Sequence, residues 1–205
     1  MARLRRTVET WGTVLYFDIA SRRIDINKLE NAFMKCSIYV HHIDEIFSTY
    51  KENSTISKLR RGELSIDEAP GEVQEVWELC AQAKYLSDGA FDPWAVDGGF
   101  DPSGLVKGWA ADKCAEMLID MGVEHMQLNF AGDLTLRGGE LDENGDVVPW
   151  SIGVVNPDNV QEVLQVFKIN DGAIATSGDY ERGAHIRDPF TGTIAIGARS
   201  ATVLG

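Results

Sequence analysis

The stretch F-D-P-W-A-V-D-G-G-F-D-P-S-G-L-V-K-G-W-A-A-D-K-C-A-E-M-L (residues 91–118) decides how the rest of the chain is arranged. It begins as a loop with two Asp-Pro pairs and several glycines, and it continues as an amphipathic helix. Asp101 is a suitable N-cap, and Pro102 suits the first helical position because its missing N–H would have no intrahelical partner there. The sequence therefore predicts a helix that starts at this second Asp-Pro pair.

The predicted helix has one apolar face. Apolar side chains recur at steps of three and four residues, the spacing of a helix that buries one side. These side chains are Val106, Ala110, Cys114, Met117, Leu118 and Met121. Burial of this face would fix the helix to the core, so we expect the loop before it to be held in place.

The N-terminus of this helix has the properties of an anion site. Its first backbone N–H groups have no intrahelical partners, and Lys107 adds a full positive charge. The helix dipole alone contributes only about 0.3–1 kcal/mol at an exposed end, so a nucleotide would need the lysine, further contacts and a metal ion. A capped helix behind a Gly-rich turn is also ordinary architecture, and the helix signal alone leaves both interpretations open.

Composition and charge limit the classes of protein. The chain has 205 residues and 44% hydrophobic content, enough for a full core, and it contains no repeat or linker that would divide it. We therefore expect a single domain over residues 1–205. The net charge of −13 argues against nucleic acids and anionic membranes as partners, because the long-range field repels them. A nucleotide would need only a local positive pocket.

The cysteines and the N-terminus indicate where in the cell the protein is located. Cys36, Cys80 and Cys114 lie far apart on predicted helices and form no C-x-x-C pair, which is typical of reduced core thiols in a cytoplasmic protein. Residues 1–10 are basic, but no apolar segment of a signal peptide follows them. We expect neither a signal peptide nor insertion into a membrane.

The first half of the chain predicts one strand and two further helices. Residues 13–20 alternate as a strand does, and apolar residues from Asp25 to Phe47 recur at helical steps. Residues 47–59 are rich in hydroxyl groups and predict a loop with one short turn. Another helix is expected over residues 72–86.

Short alternating segments dominate the second half, and turn signals such as Asn144-Gly145 separate them, which indicates an antiparallel meander. The expected strands are residues 126–130, 134–137, 150–155, 163–169, 173–176, 193–196 and 201–204. Helices early and strands late predict an α+β fold, with the helices packed on a mainly antiparallel sheet.

Familiar motifs for nucleotide binding and hydrolysis do not fit. Residues 99–104 have the outer spacing of a P-loop, but Leu105 and Val106 follow where Lys and Ser or Thr are required. No G-x-G-x-x-G follows a predicted strand, so the Rossmann fingerprint is excluded. Ser177 does not lie in a G-x-S-x-G elbow, so an elbow hydrolase is unsupported.

Two other residues leave alternatives open. His185 lies among polar residues but is flanked by Ala184 and Ile186 on a predicted strand, so it is either a functional group or a buried core histidine. Tyr50 lies in a polar loop, where an aromatic side chain is either a stacking surface for a ring or a lid over the core.

Seven blocks, taken in order, resemble those of the ApbE family of FAD:protein FMN transferases. They are V-E-T-W-G-T (8–13), F-S-T-Y-K (47–51), G-A-F-D-P (89–93), D-P-S-G-L-V-K-G-W-A-A-D (101–112), L-N-F-A-G-D (128–133), A-T-S-G-D-Y-E-R (175–182) and H-I-R-D-P-F-T-G (185–192). Each block alone is a weak signal, but their ordered coincidence over nearly the whole chain is a strong one. The resemblance implies an ApbE-like α+β fold and an enzyme that moves FMN from FAD onto a threonine of an acceptor protein.

The resemblance also implies roles for individual residues. The positions that would bind FAD are Trp11, Tyr50, Ala90, Phe91, Asp92, Asp101 and Lys107, where Trp11 replaces the methionine usual in the family. Gly104 would supply a metal ligand through its backbone carbonyl. His185 would be the catalytic histidine next to the diphosphate. Mg²⁺ is the expected cation, because it prefers oxygen ligands and neutralises charge on a transferred phosphoryl group.

Three other functions stay open: an FAD-binding protein without transfer, an FAD diphosphatase that uses water as acceptor, and a structural domain. The resemblance further implies a helix after residues 198–205, with an aspartate and a threonine that complete the metal site, and the sequence stops at Gly205. We therefore expect this 205-residue form to bind FAD, to transfer FMN weakly in Mg²⁺, and to leave one face of its sheet poorly covered.

Overall fold

A computed structural model of the protein describes residues 1–178 and 186–205. Its strands are β1 (Ala2–Thr10), β2 (Thr13–Ser21), β3 (His125–Phe130), β4 (Asp133–Arg137), β5 (Glu140–Leu141), β6 (Val147–Val148), β7 (Trp150–Asn156), β8 (Asn159–Ile169), β9 (Gly172–Gly178) and β10 (Ser200–Leu204). Its α-helices are α1 (Ile26–Phe47), α2 (Thr55–Arg60), α3 (Gly71–Leu86) and α4 (Ser103–Asp120). The predicted α+β class is confirmed.

The main sheet has six strands in the order β1-β2-β3-β4-β9-β10, and every neighbouring pair is antiparallel. The chain leaves this sheet after β2 for the four helices and leaves it again after β4 for two hairpins. Strands β5 and β6 pair with each other, and so do β7 and β8. The predicted antiparallel pairing is therefore correct, but the later strands form three sheets instead of one meander.

Helices α1 and α4 cover one face of the main sheet, which we call the inner face. Alternate residues of β2 and β3 point into this core, including Leu15, Phe17, Met126 and Leu128. On the outer face a smaller cluster forms where the β7–β8 hairpin packs on β4 and β9. Its buried members are Leu136, Trp150, Ile152 and Ile174. The helices thus hold the sheet from one side while a hairpin holds part of it from the other.

Helix α1 follows the sequence prediction closely. Asp25 caps its N-terminus, and the carboxylate accepts a hydrogen bond from the backbone N–H of Lys28 at 3.0 Å. The predicted stripe is buried, and it includes Leu29, Phe33, Cys36, Val40, Ile43 and Phe47. The apolar periodicity alone was sufficient to predict α1, because one side of this helix faces the sheet over its whole length.

Helix α4 buries the predicted face but begins slightly later than predicted. Its first residue is Ser103 and its N-cap is Pro102, so Asp101 is not the cap itself. The Asp101 carboxylate nevertheless accepts a hydrogen bond from the Ser103 N–H at 3.0 Å. It therefore satisfies a donor of the first turn, which is the physical purpose of a cap. Trp109 is also buried on this helix.

Two predictions about local structure were wrong, and one strand was missed. Strand β1 was not predicted because its arginines hide the alternation of Leu4 and Val8, which are buried against α1. Residues 47–59 contain helix α2, which Ser54 caps through a hydrogen bond from the Ser57 N–H. Residues 193–196 do not form a strand, since only an isolated bridge joins Arg187 to Ile194.

Among the described residues, little covers the inner face at β9 and β10. Helix α4 reaches β3 and β4, and beyond them Ala175 and Ala201 are exposed while Val203 is 68% exposed. This agrees with the expectation of a sheet face without full cover. Among the described residues, no helix is long and apolar enough to cross a membrane. All three cysteines are buried and unoxidised, as predicted.

Candidate functional site at the N-terminus of helix α4

The loop before α4 rests on a cluster of three aromatic rings. The Trp77 ring of α3 lies 4.9 Å from that of Trp94 and 4.6 Å from that of Phe100, measured between centroids. The rings of Trp94 and Phe100 are 5.3 Å apart. Two ends of the loop are therefore packed against the same helix, which explains why a Gly-rich segment is held in place.

Polar contacts complete the support of this loop. The Arg60 side chain of α2 donates hydrogen bonds to the backbone carbonyls of Asp97 and Gly98, the second at 3.0 Å from Nε. The backbone N–H of Asp101 donates to the carbonyl of Pro93 at 2.8 Å. The loop closes on itself just before the helix, and this confirms the prediction that it is held.

Phe91 lies directly on the first turn of α4. A Cβ atom built on Gly104 would lie 3.0 Å from Cε2 of the Phe91 ring, closer than almost any real Cβ contact. Glycine at this position therefore lets the ring approach the helix backbone. Two residues that the resemblance connects with different roles, one with FAD and one with a metal, are in contact.

Asp92 forms an ion pair that the sequence did not reveal. Its Oδ2 lies 2.7 Å from Nζ of Lys84, and its Oδ1 accepts a hydrogen bond from the Trp94 N–H at 3.0 Å. Burial raises the pKa of Asp92, but the ion pair and the hydrogen bonds outweigh it and lower the pKa below its ordinary value. Lys84 also lies 5.6 Å from the centre of the Trp94 ring. No signal in the sequence joined Lys84 to the loop, because it lies on the helix before it.

Lys107 is also paired. Its Nζ lies 2.8 Å from Oδ2 of Asp133, the first residue of β4, and the two side chains are 29% and 20% exposed. The block of residues 128–133 therefore ends beside the start of α4. Lys107, Asp101, Gly104 and Phe91 are brought to one end of one helix, as the sequence predicts for an anion site.

Trp11 and Tyr50 lie on other elements and differ sharply in burial. The indole N–H of Trp11 donates to the carbonyl of Val40 at 3.0 Å, and its ring meets Phe130 edge-on at 5.7 Å. Tyr50 is 95% exposed, so the prediction of a lid over the core is wrong for this residue. A stacking surface is the interpretation that remains for Tyr50.

Phe190, from the block of residues 185–192, lies near Gly89, just before the loop that leads into α4. The Phe190 ring would lie 3.5 Å from a Cβ built on Gly89, next to Ala90, which is itself exposed. His185 lies outside the described residues, so it is still either a functional group or a buried core histidine, as the sequence indicates.

The described residues do not form a recognisable metal centre. Over residues 1–178 and 186–205, no group of three or more His, Cys, Asp or Glu side chains could hold a metal ion. The carbonyl of Gly104 belongs to the first turn of α4, where helix geometry directs it along the axis towards the residue four positions later. One such carbonyl does not amount to a cation site.

Two hollows in the surface lie away from this region. The one of about 570 Å³ is on the outer face of the sheet, where Arg5, Tyr16, Asp18 and Asn129 contribute to its lining. The other, of about 660 Å³, lies between the start of β1 and the start of α1. In the first hollow Arg5 already pairs with Asp18 at 2.9 Å. This hollow lies on the face of the sheet opposite to α4, so it is not part of the region at the α4 N-terminus.

Comparison with known proteins agrees with the predicted family. The sequence profile of the ApbE family matches residues 95–205, more than half of the chain. The chain therefore belongs to the ApbE family. The matched range contains α4 and the blocks after it, whereas the blocks at residues 8–13, 47–51 and 89–93 precede it.

Curated relatives match part of the chain. An FAD:protein FMN transferase of Vibrio cholerae is 37% identical over 101 residues, which cover 45% of this chain and 29% of that protein. The enzyme of the same name from Escherichia coli K12 is 32% identical over 101 residues, or 45% of this chain and 28% of that protein. The alignments thus span less than a third of these relatives.

Solved structures agree over a much larger part of the chain. The flavin transferase ApbE from Vibrio cholerae superposes with a TM-score of 0.81 and 22% identity, over 99% of this chain and 82% of that one. The ApbE protein from Thermotoga maritima gives a TM-score of 0.84 with 23% identity, over 98% and 81%. At these identities the likeness establishes the fold, and the predicted ApbE-like fold is confirmed.

Proposed function

We propose that this chain is an FAD:protein FMN transferase, which moves FMN from FAD to a threonine hydroxyl of an acceptor protein. The observation that carries the proposal is the N-terminus of α4, where Lys107, the positive end of the helix dipole and the Phe91 ring meet beside a braced loop. Such an arrangement suits a diphosphate that is attached to aromatic rings. Relatives that align with part of this chain carry that enzyme name.

The reaction requires positioning and charge neutralisation more than covalent chemistry by the protein. The threonine oxygen would attack the phosphorus of the FMN half, the bond from that phosphorus to the AMP oxygen would break, and AMP would leave. The hydroxyl proton would pass to a base. We propose His185 for this role, since imidazole accepts protons near neutral pH. Lys107 would neutralise negative charge that builds up on the transferred group.

The remaining residues of the site would hold the flavin and its ribose. In our proposal Tyr50 and Phe91 offer ring faces for stacking, Asp92 and Asp101 accept hydrogen bonds, and Trp11 and Ala90 add apolar contact. The exposure of Tyr50 supports this use, because a tyrosine side chain that is 95% exposed has surface to cover. The proposed unit is a single flavin-binding domain over residues 1–205.

Mg²⁺ is the cation we propose, since it binds oxygen ligands and accompanies diphosphates. The described residues do not fit it, because they contain no group of three or more His, Cys, Asp or Glu that could hold a metal. Gly104 would contribute one carbonyl at most.

The first experiment measures flavin affinity. Titration with FAD and with FMN, followed by quenching of flavin fluorescence, should give tighter binding of FAD because its AMP half adds contacts across the diphosphate. Equal affinity for both flavins would contradict a site at the α4 N-terminus that spans the diphosphate. Absence of any flavin binding would favour a structural domain.

The second experiment separates the reactions. The protein is incubated with FAD, Mg²⁺ and a threonine-containing acceptor protein, and AMP, free FMN and acceptor-bound flavin are quantified. AMP with a fluorescent acceptor supports the transferase, AMP with free FMN supports a diphosphatase, and intact FAD supports binding alone. His185→Ala should lower turnover much more than FAD affinity, because a base acts mainly in the transition state.

The proposal also includes the cellular location of the protein and its binding partners. We propose a cytoplasmic location from the reduced, buried cysteines. The partners would be FAD and an acceptor protein, without nucleic acid, because the net charge of −13 repels polyanions.

A further inference from the structure

We propose that Asp133 is a positioning residue that holds the Lys107 ammonium group at the N-terminus of α4, where the diphosphate of FAD would lie. This inference rests on the proposed function and deepens it. The observation behind it is the 2.8 Å contact between Lys107 Nζ and Asp133 Oδ2, which joins two sequence blocks that have separate places in the chain. Within the block of residues 128–133, Phe130 packs against Trp11, and Asp133 is the residue that reaches α4.

The position of Asp133 follows from a tight turn between β3 and β4. Phe130 pairs directly with Asp133, so only Ala131 and Gly132 connect the strands. Both have positive φ, at 57° and 96°, as a two-residue hairpin of the right twist requires. The side chain of Asn129 accepts a hydrogen bond from the Gly132 N–H at 2.9 Å. The polar and small residues of this block thus fix the place where β4 begins.

The direction of Asp133 follows from the strand. Thr135 lies two residues later, is buried, and contacts the Asp112 side chain of α4 at 3.4 Å. Residues two apart in a strand share a face, so Asp133 also lies on the inner face, towards α4. A carboxylate at the first position of β4 therefore faces the helix.

The direction of Lys107 follows from the helix. Ala111 lies one turn later and is buried against the sheet, so Lys107 lies on the same side of α4. Side chains of a helix lean towards its N-terminus, which carries the long lysine chain towards the first turn and the positive end of the helix dipole. Without a partner, a lysine with four rotatable bonds would sample many positions there.

The ion pair with Asp133 reduces the net positive charge near Lys107 but fixes the position of its ammonium group. Asp133 cancels part of the long-range attraction that Lys107 has for an anion, yet it restricts the ammonium to one place beside the helix dipole. A pair of this exposure contributes little to folding. Its effect should therefore appear in FAD affinity, where an already oriented lysine loses less freedom when the diphosphate binds.

A double-mutant cycle on FAD affinity tests the inference. Lys107→Ala should weaken FAD binding about tenfold, which corresponds to about 1.4 kcal/mol. Asp133→Ala should weaken it about fivefold through the loss of orientation, in the range of a typical net hydrogen-bond contribution. The double variant should bind FAD no more weakly than Lys107→Ala alone, because Asp133 acts through the lysine. Asp133→Asn keeps an acceptor at the same place and should recover part of the loss.

Lys113→Ala is the matched control. Lys113 lies on the same helix and pairs with Glu75 at 3.0 Å, with a similar exposure of 34%, but it is more than one turn farther from the N-terminus. Its loss should leave FAD affinity unchanged. Circular dichroism and urea unfolding of every variant verify that the fold is intact.

The outcomes separate the inference from the function on which it rests. If FAD binding needs Lys107 but is unaffected by Asp133→Ala, or if the two losses simply add, the positioning role is overturned and the proposed function stands. If Asp133→Ala tightens FAD binding, the carboxylate acts only as a repulsive charge and the inference is also wrong. If the wild-type protein does not bind FAD, both proposals fail together.

Discussion

The loop of residues 91–102 and the loop of residues 48–54 both carry residues proposed to bind FAD, but they are built in opposite ways. In the first, side chains make the contacts: the Trp94 and Phe100 rings pack on α3, and Phe91 packs on Gly104. In the second, the Ser48 hydroxyl accepts from the Tyr50 backbone N–H at 3.3 Å while the Tyr50 side chain is 95% exposed. In residues 91–102, packed aromatic rings hold the loop in shape. In residues 48–54, a hydrogen bond from a backbone N–H holds the loop, and the ring of Tyr50 is exposed to solvent.

The first loop therefore combines internal support with proposed contacts to FAD, whereas the second presents a proposed contact alone. Truncation of the supporting rings Trp94 and Phe100 should change stability first and FAD affinity as a consequence. A substitution at Tyr50 should change FAD affinity alone. Substitutions at Phe100, Tyr50, Gly104 and Asp92 test this contrast between the loops.

Phe100→Ala should have the largest effect. Its side chain is 4% exposed and contacts two tryptophans, so truncation should lower the free energy of unfolding by about 3–5 kcal/mol. Urea unfolding followed by tryptophan fluorescence measures the loss. Tyr50→Ala is the control and should change stability by less than about 0.5 kcal/mol. Similar losses for both variants would remove the contrast between the loops.

Tyr50→Ala should weaken FAD binding about fivefold to tenfold, in line with the ~0.5–1.5 kcal/mol of an aromatic contact. Tyr50→Phe should retain most of the affinity, since the ring and not the hydroxyl would stack on the flavin. Fluorescence titration of both variants measures the difference. An unchanged affinity in Tyr50→Ala would mean that this side chain does not contact FAD.

Gly104→Ala should alter the site with little change in stability. The new methyl group would push the Phe91 ring away, while alanine in place of glycine favours the helix by about 1 kcal/mol, so the two effects on unfolding nearly cancel. FAD affinity should fall several-fold because the ring moves. Gly108→Ala is the matched control on α4, where a Cβ meets nothing within 4 Å, and it should raise stability and leave FAD affinity unchanged. Equal FAD affinities in the two variants would exclude a role for the ring position.

Acid should weaken the support of the loop through Asp92, with the smallest effect. The folded protein lowers the pKa of Asp92 below its ordinary value of 3.8, so the charged carboxylate stabilises the fold above that pH. This contribution is lost as pH falls below 3.8 and through the lowered pKa. Asp92→Asn should therefore be less stable than wild type by under about 1 kcal/mol at pH 7, and the difference in stability should be smaller at pH 3, below the ordinary pKa. A constant gap in urea unfolding at both pH values would refute the role of the charge.

Much of the fold could be predicted from periodicity, because α1 and α4 each bury one regular face. Strand β1 could not be recognised, since Arg3, Arg5 and Arg6 stand among its buried positions and pair with acidic side chains across the surface. Helix α2 is only six residues long, too short for a periodic signal, and Ser54 and Ser57 are typical of loops as well as caps.

The part of the site that one continuous segment forms could be predicted from the sequence. The contacts between segments that are distant in the sequence could not. Asp101, Gly104 and Lys107 are close in sequence, so helix geometry alone brings them to one end of α4. The pairing of Asp92 with Lys84 and of Lys107 with Asp133 depends on the packing of separate elements. No local pattern encodes such contacts, because each partner alone is an ordinary charged residue on a surface.

The connection between β2 and β3 has a consequence for how the protein folds. Strand β2 ends at Ser21 and its partner β3 begins at His125, so roughly one hundred residues must be enclosed before these central strands pair. The β1–β2 and β3–β4 hairpins, by contrast, close through two residues each. Hairpins of this kind form in microseconds, whereas contacts of large sequence separation are slow. Refolding should therefore be limited by the meeting of two hairpins that are already formed, and the site at α4 should assemble only in that last step.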